Sequence, residues 1–270
     1  LATYLSLRLH FSYGEGVFQS IWHGTFHAIS AFNNGGFSLY TDSMTGFNQD
    51  MFFIAPVMLA VVVGGLGFPV LIELHERIWR LRLQPGGKAK RFSLHTRLTL
   101  WMTVSLIVLG ALFIGAIEWN NPGTLGGLNT WDKLVNTFFT SIMPRSGGFN
   151  SLDISAMDPA SWLGIDLLMF IGGGSASTAG GIKVTTIAVL IFIIYTEIRG
   201  ETAVNVGNRR LPRSIQRQAL TLVALSATAI LLTTLLFAAT TDFSLDEILF
   251  DVISAAATVG LSTGITADLP

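Results

Sequence analysis

The chain has 270 residues, 50% hydrophobic and only 12% charged, with no cysteine and a net charge of −1. That balance lies far from a soluble globular domain and makes a lipid bilayer the natural solvent. Disulfides and thiolate metal sites are excluded, while the net charge decides little.

Charge distribution says more, because twelve of the sixteen Lys and Arg residues fall within 73–97 and 199–217. Apolar runs near 51–72, 94–118, 160–198 and 214–240 reach the roughly 20 residues a membrane span needs. The positive-inside bias then makes the loops 73–97 and 199–217 cytoplasmic. The stretches 36–50, 118–160 and 240–270 fall outside, carrying an excess of Asp and Glu that raises local cation concentration.

In chain order, Leu1 to His10 reads as the last turns of a spanning helix. Residues 17–32 have a helical pattern but are too short and polar to span, which suggests a re-entrant helix ending at the loop Asn33-Asn-Gly-Gly-Phe-Ser38. An apolar span from Met51 contains Pro56 and Gly64-Gly-Leu-Gly-Phe-Pro69, residues tolerated in membrane helices that pack closely. Phe92 to Ile117 forms the next span and Asn120–Gly127 a turn. A second short helix covers 130–143, with Asp132 in its first turn complementing the helix dipole. It leads to Arg145-Ser-Gly-Gly-Phe-Asn150, and Asp158-Pro159 starts another helix. After the span 214–240, Ser244-Leu-Asp-Glu247 resembles a capping box. A third short helix, 245–256, precedes Ala257-Thr-Val-Gly-Leu-Ser262.

Gly36, Gly148 and Gly260 are spaced 112 residues apart. The repeating unit is span, short helix, glycine loop, span, and it divides the chain into 1–83, 92–199 and 212–270. The fold class expected is an all-α membrane protein built from pseudo-symmetric helix–pore loop–helix repeats. Irregular backbone at membrane depth survives where protein or a water-filled cavity satisfies it. Glycine there admits positive φ and lets carbonyls turn toward an axis, and such a ring can replace a cation's hydration shell. The negative C-terminal ends of the short helices favour a cation in the same place.

These loops resemble those of the Trk/Ktr/HKT superfamily of potassium transporters, whose pore-forming subunit repeats a potassium-channel-like unit four times. The resemblance makes Asn34-Gly35-Gly36-Phe37, Ser146-Gly147-Gly148-Phe149 and Thr258-Val259-Gly260-Leu261 filter segments, where K⁺ would bind, in the second to fourth repeats. The family often has Ala where Gly35 and Gly147 stand. The resemblance further implies that the first repeat precedes Leu1 and the last closing helix follows Pro270. It also implies a homodimer in the cytoplasmic membrane, contacting lipid and a cytoplasmic ring of KtrA/TrkA-like regulatory subunits that bind ATP, ADP or NAD(H). No covalent cofactor, enzymatic step or nucleic acid is expected. Sodium remains an alternative ion, because some relatives carry serine at the first filter's glycine position.

The span 160–198 is interrupted by Phe170-Ile-Gly172-Gly173-Gly174-Ser175-Ala-Ser177-Thr178-Ala-Gly180-Gly181-Ile-Lys183. A helix broken in mid-membrane is costly unless it lines a path, so the intramembrane loop 171–183 is expected to gate the pore below the filter, as the family's third repeat does. Lys183 is expected to present a positive charge to the passing cation.

Other readings of the same residues are weaker. A phosphate-binding loop needs Gly-Lys-Ser/Thr, and Ile182 separates Gly181 from Lys183. His23 and His27 have metal-pair spacing, but no glutamate follows His23, so polar packing behind the filter is expected. Ser175 and Ser177 have no histidine within their unit to form a hydrolase, so their hydroxyls are expected to satisfy broken backbone. Arg145 is expected to support the filter by pairing with an acidic neighbour; a solvated outer charge is the alternative. A carrier for a small organic solute would place its repeats in inverted topology, whereas every loop here falls on one side. A membrane enzyme lacks an assembled acid-base set.

Overall fold

A computed structural model describes residues 1–83, 92–201, 203–206 and 209–268. Parts of both basic windows, at 84–91, 202 and 207–208, and residues 269–270 of the last repeat lie outside the described residues. The helices are α1 (Ala2–Tyr13), α2 (Val17–Phe32), α3 (Met51–Leu66), α4 (Phe68–Leu83) and α5 (Leu94–Glu118). They continue as α6 (Thr130–Ile142), α7 (Pro159–Phe170), α8 (Val184–Ile198), α9 (Arg213–Thr240) and α10 (Leu245–Ala256). A two-residue hairpin, β1 (Asn205–Val206) with β2 (Arg209–Arg210), joins α8 to α9.

Helices α5 and α9, with 25 and 28 residues, are long and apolar enough to cross a membrane. At about 1.5 Å per residue both exceed the roughly 30 Å hydrocarbon core. Helix α9 buries only Ala219 and Thr234 and turns Leu225, Leu232 and Leu236 outward, the character of a helix solvated by lipid. The fold is an all-helical membrane fold.

The continuous span expected over 51–72 is instead broken. Helices α3 and α4 meet at an angle of 106°. Gly67 sits between them at φ +93°, a conformation open to glycine, and Pro69 follows as a helix-start residue. The span 160–198 divides as its composition suggests, into α7 and α8 with 171–183 between them.

Short polar signals fix where helices begin. Ser93, Asn129 and Asp158 each accept a backbone N–H of the first turn, and Ser244 with Glu247 forms a reciprocal capping box. Each such cap is worth about 1 kcal/mol. The short helices then pack between neighbours: α2 against α1 and α3, α6 against α5 and α3, and α10 against α7 and α9. One apolar core joins Leu5, Phe53, Val61, Phe139 and Phe149, and a second joins Ile114, Ile165, Met169, Phe250 and Val259. Both cores run up to the glycine loops, so the loops are held from behind.

Candidate functional site

Helices α2, α6 and α10 have 16, 13 and 12 residues, hence lengths of about 18–24 Å, too short to cross the hydrocarbon core. Each stops at a glycine loop, with its negative dipole end toward that loop. The loops share a backbone pattern that their side chains do not advertise. Asn34 and Gly36 have φ of 53° and 68°, Ser146 and Gly148 both 71°, and Thr258 and Gly260 53° and 92°. In each loop, then, two left-handed residues flank one that is not. The first and third loops are also closed by the same bond, from Gly35 N to Ser30 O and from Val259 N to Ser254 O, both 2.8 Å. In the middle loop Gly147 N and Gly148 N instead share Met143 O, at 2.7 and 3.1 Å.

The three loops meet. A Cβ built on Gly36 would stand 2.7 Å from Gly148 Cα, 3.1 Å from Val259 O and 3.2 Å from Gly147 O, so all three contribute to one spot. Of the remaining loop residues, Phe149 and Leu261 are buried, Gly35 is half-buried against Phe37 and Ser30, and the Phe37 side chain itself is exposed.

The segment 171–183, between α7 and α8, touches every one of these loops. Thr178 Oγ1 donates to Asn34 Oδ1 at 2.8 Å and to Phe32 O at 3.3 Å. Gly180 N donates to Ser146 Oγ at 2.9 Å, and Gly180 packs so closely on Thr258 Oγ1 and Ala257 O that it has no room for a Cβ. Within the segment, Gly172 N bonds Ile182 O and Ile182 N bonds Phe170 O, which pinches its two ends together.

The broken α3–α4 pair satisfies much of this segment's backbone. Gly174 N donates to Gly65 O at 2.7 Å, Thr178 N to Gly64 O at 3.4 Å, and Phe68 N to Ala176 O at 3.0 Å. Serine hydroxyls were the expected partners, and here the expectation fails. Ser175 Oγ pairs with Thr185 Oγ1, and Ser177 Oγ makes no hydrogen bond. Carbonyls freed where one helix breaks are better placed for the amides freed where another breaks. Gly173 and Gly174 are required by this contact, since a Cβ on either would meet the carbonyl of Gly65 or Leu66. Gly181, at φ +67°, turns the chain back toward α8.

Arg145 is buried, not solvated, and no carboxylate pairs with it among the described residues. Its guanidinium reaches Thr103 Oγ1 at 3.3 Å and the carbonyls of Thr103 and Gly172 at 3.5 Å. The side chain thus spans from the middle glycine loop to the start of the segment 171–183. Lys183, just before α8, turns its ammonium back onto Ala179 O at 2.5 Å, holding that charge at the root of the loop.

Several acidic residues expected on the external side do not form a simple acidic rim. Glu118 is fully buried and accepts from Thr124, Asn121, Ser161 and the N–H of Asp158. Asp251 is buried and holds Ser262, Thr263 and Thr266 just beyond the third loop. Asp50 pairs with Arg8 at 2.9 Å. These carboxylates fasten the ends of loops and helices.

The two histidines pack behind the first loop. His27 contacts Ser38 Oγ and Leu39 N through Nε2, and His23 lies 3.1 Å from Glu15. Tyr40 donates to the same carboxylate, and burial together with that bond raises its phenol above the ordinary range. Among the described residues no group of three His, Cys, Asp or Glu side chains could hold a metal.

Two helices long and apolar enough to cross a membrane, a sharply bent helix pair and three meeting loops are the features of a multi-pass membrane protein. A family model for TrkH, described as a cation transport protein, matches residues 2–270, and the chain belongs to that family. It is 37% identical over 270 residues to Ktr system potassium uptake protein B of Bacillus subtilis, covering 99% of this chain and 58% of that one. Potassium/sodium uptake protein NtpJ of Enterococcus hirae is 34% identical, over 93% of this chain and 54% of its own length. The crystal structure of the potassium transporter TrkH from Vibrio parahaemolyticus shares the fold, with a TM-score of 0.73 at 17% identity, covering 98% of this chain and 54% of that one. The chain therefore spans a little over half the length of these relatives.

Proposed function

We propose that the chain is part of the ion-conducting subunit of a Trk/Ktr-type potassium uptake system in the plasma membrane. The observation that carries this reading is the meeting of three loops with one backbone pattern, at 34–37, 146–149 and 258–261. A potassium ion arriving there exchanges water for loop carbonyls, favoured by three helix C-terminal ends. The segment 171–183, in contact with all three loops, stands across the exit and serves as the gate. Arg145 fixes its base, and Lys183 adds a positive charge on the same side. No covalent chemistry is involved.

The basic windows mark the cytoplasmic face. A homodimer with a cytoplasmic nucleotide-binding regulatory ring accords with relatives named as parts of a Ktr system. Sodium conduction or coupling is a second reading, supported by the potassium/sodium name of one relative. The test is rubidium uptake by the full-length protein in cells lacking their own potassium uptake, with sodium as competitor. Rubidium uptake that sodium barely inhibits is expected. Normal membrane insertion without uptake overturns the reading.

A further inference from the structure

Three of the left-handed positions in the glycine loops are held by residues with side chains: Asn34, Ser146 and Thr258. Non-glycine residues pay conformational strain at positive φ, Thr most of all because its branched Cβ crowds the backbone. Glycine would suit the backbone better at all three. Each of these side chains faces the segment 171–183. Asn34 Oδ1 accepts from Thr178 Oγ1 at 2.8 Å, and Ser146 Oγ accepts from Gly180 N at 2.9 Å. Thr258 Oγ1 lies against Gly180. Ser146 Oγ also donates to Thr258 O at 3.3 Å, which links the second and third contacts. The three residues are spaced 112 apart and are polar in every case, so one offset in each repeat meets one segment.

We propose that Asn34, Ser146 and Thr258 are positioning residues that latch the intramembrane loop beneath the filter, and that their side chains are what the strained backbone is kept for. The proposal rests on reading 171–183 as a gate and the glycine loops as a filter. The loop leaves the pathway only by breaking these contacts. Its other anchors, Gly174 N on Gly65 O, Phe68 N on Ala176 O and the Gly172–Ile182 pinch, involve no filter residue and stay in place, while the long Thr178 N–Gly64 O bond is released with the latch. The segment between Ser177 and Gly180 is therefore the moving part, and its roots at 172–174 and 181–183 are fixed.

The first variant is Ser146→Gly, which relieves the backbone and removes the bond from Gly180 N together with the Ser146–Thr258 link. Thr178→Val is the partner variant on the exposed side of the loop, where loss of a hydroxyl leaves the fold intact. Both are placed in the full-length protein, with membrane insertion measured alongside, and resting rubidium uptake is followed without added nucleotide. One hydrogen bond corresponds to about fivefold in an equilibrium, so each variant is expected to raise the resting maximal rate by about threefold to tenfold. Ser146→Asn, which tolerates positive φ and keeps a polar group, is expected to restore the low resting rate. Ser146→Gly and Thr178→Val proteins that match wild type overturn the latch, since the side chains would then be dispensable. A fall in maximal rate for both also overturns it. Inserted wild-type protein that takes up no rubidium overturns the filter reading beneath it, which separates the two failures.

Discussion

Gly36 and Gly148 face one another where the loops meet. A Cβ on Gly36 would stand 2.7 Å from the Cα of Gly148, and a Cβ on Gly148 would stand 2.6 Å from the Cα of Gly36. Neither position has room for a side chain, and both backbones are left-handed, at φ +68° and +71°. The close approach is thus mutual, and the two glycines are required by each other as much as by their own loops.

Gly148→Ser is expected to spoil the proposed filter while the fold survives. The left-handed conformation costs a non-glycine residue about 1–2 kcal/mol, and the added Cβ pushes against backbone of two other loops. Both cores behind the loops remain unchanged. In the full-length protein the preference for rubidium over sodium should fall at least tenfold at normal membrane levels. The check is competition uptake together with quantitative membrane blotting. Loss of the protein from the membrane would instead make Gly148 a packing glycine.

Gly180→Ala and Gly172→Ala separate the position of the proposed gate from its integrity. A Cβ on Gly180 meets Thr258 Oγ1 and Ala257 O, outside its own segment, whereas one on Gly172 meets Gly180 O within it. The first should push the segment off the third glycine loop and raise resting uptake severalfold. The second should disturb the pinch between Gly172 and Ile182 and lower the melting temperature in detergent. Thermal unfolding and resting flux, measured on both, check the distinction.

The 112-residue repeat was legible from Gly36, Gly148 and Gly260 alone, because few residues other than glycine tolerate such backbone. The equally regular positive φ at Asn34, Ser146 and Thr258 was not, since nothing in those three side chains signals it. Breakage of the 160–198 span showed in its run of glycines and hydroxyls. The break at Gly67 stayed hidden because an apolar run reads as a continuous span, although Gly67 and Pro69 carried the signal. Partners across the fold were the least visible. Arg145 was expected to find a carboxylate, yet it meets carbonyls of Thr103 and Gly172 that only the broken span and α5 packing bring to it. Thr103, Gly64 and Gly65 were missed for the same reason: their carbonyls matter, and a sequence does not show which carbonyls are free.

Glu118→Gln tests whether this buried carboxylate is structural. One oxygen of Glu118 accepts from Asp158 N and Ser161 Oγ, and the other from Asn121 Nδ2 and Thr124 Oγ1. Whichever way an amide is placed, its NH₂ faces an N–H donor, and one buried hydrogen bond becomes a conflict. The cost should be about 1–3 kcal/mol, seen as a lower melting temperature in detergent. Ion preference should not change, since Glu118 touches none of the three glycine loops.

The most direct measurement is anomalous diffraction from crystals of the full-length protein grown with thallium, a potassium mimic whose position is read without assumption. A peak is expected where Gly36, Gly148 and Val259 meet, bordered by the carbonyls of Gly147 and Val259. Thallium ordered elsewhere in the protein, with none at that meeting point, would contradict the assignment of these loops as the filter.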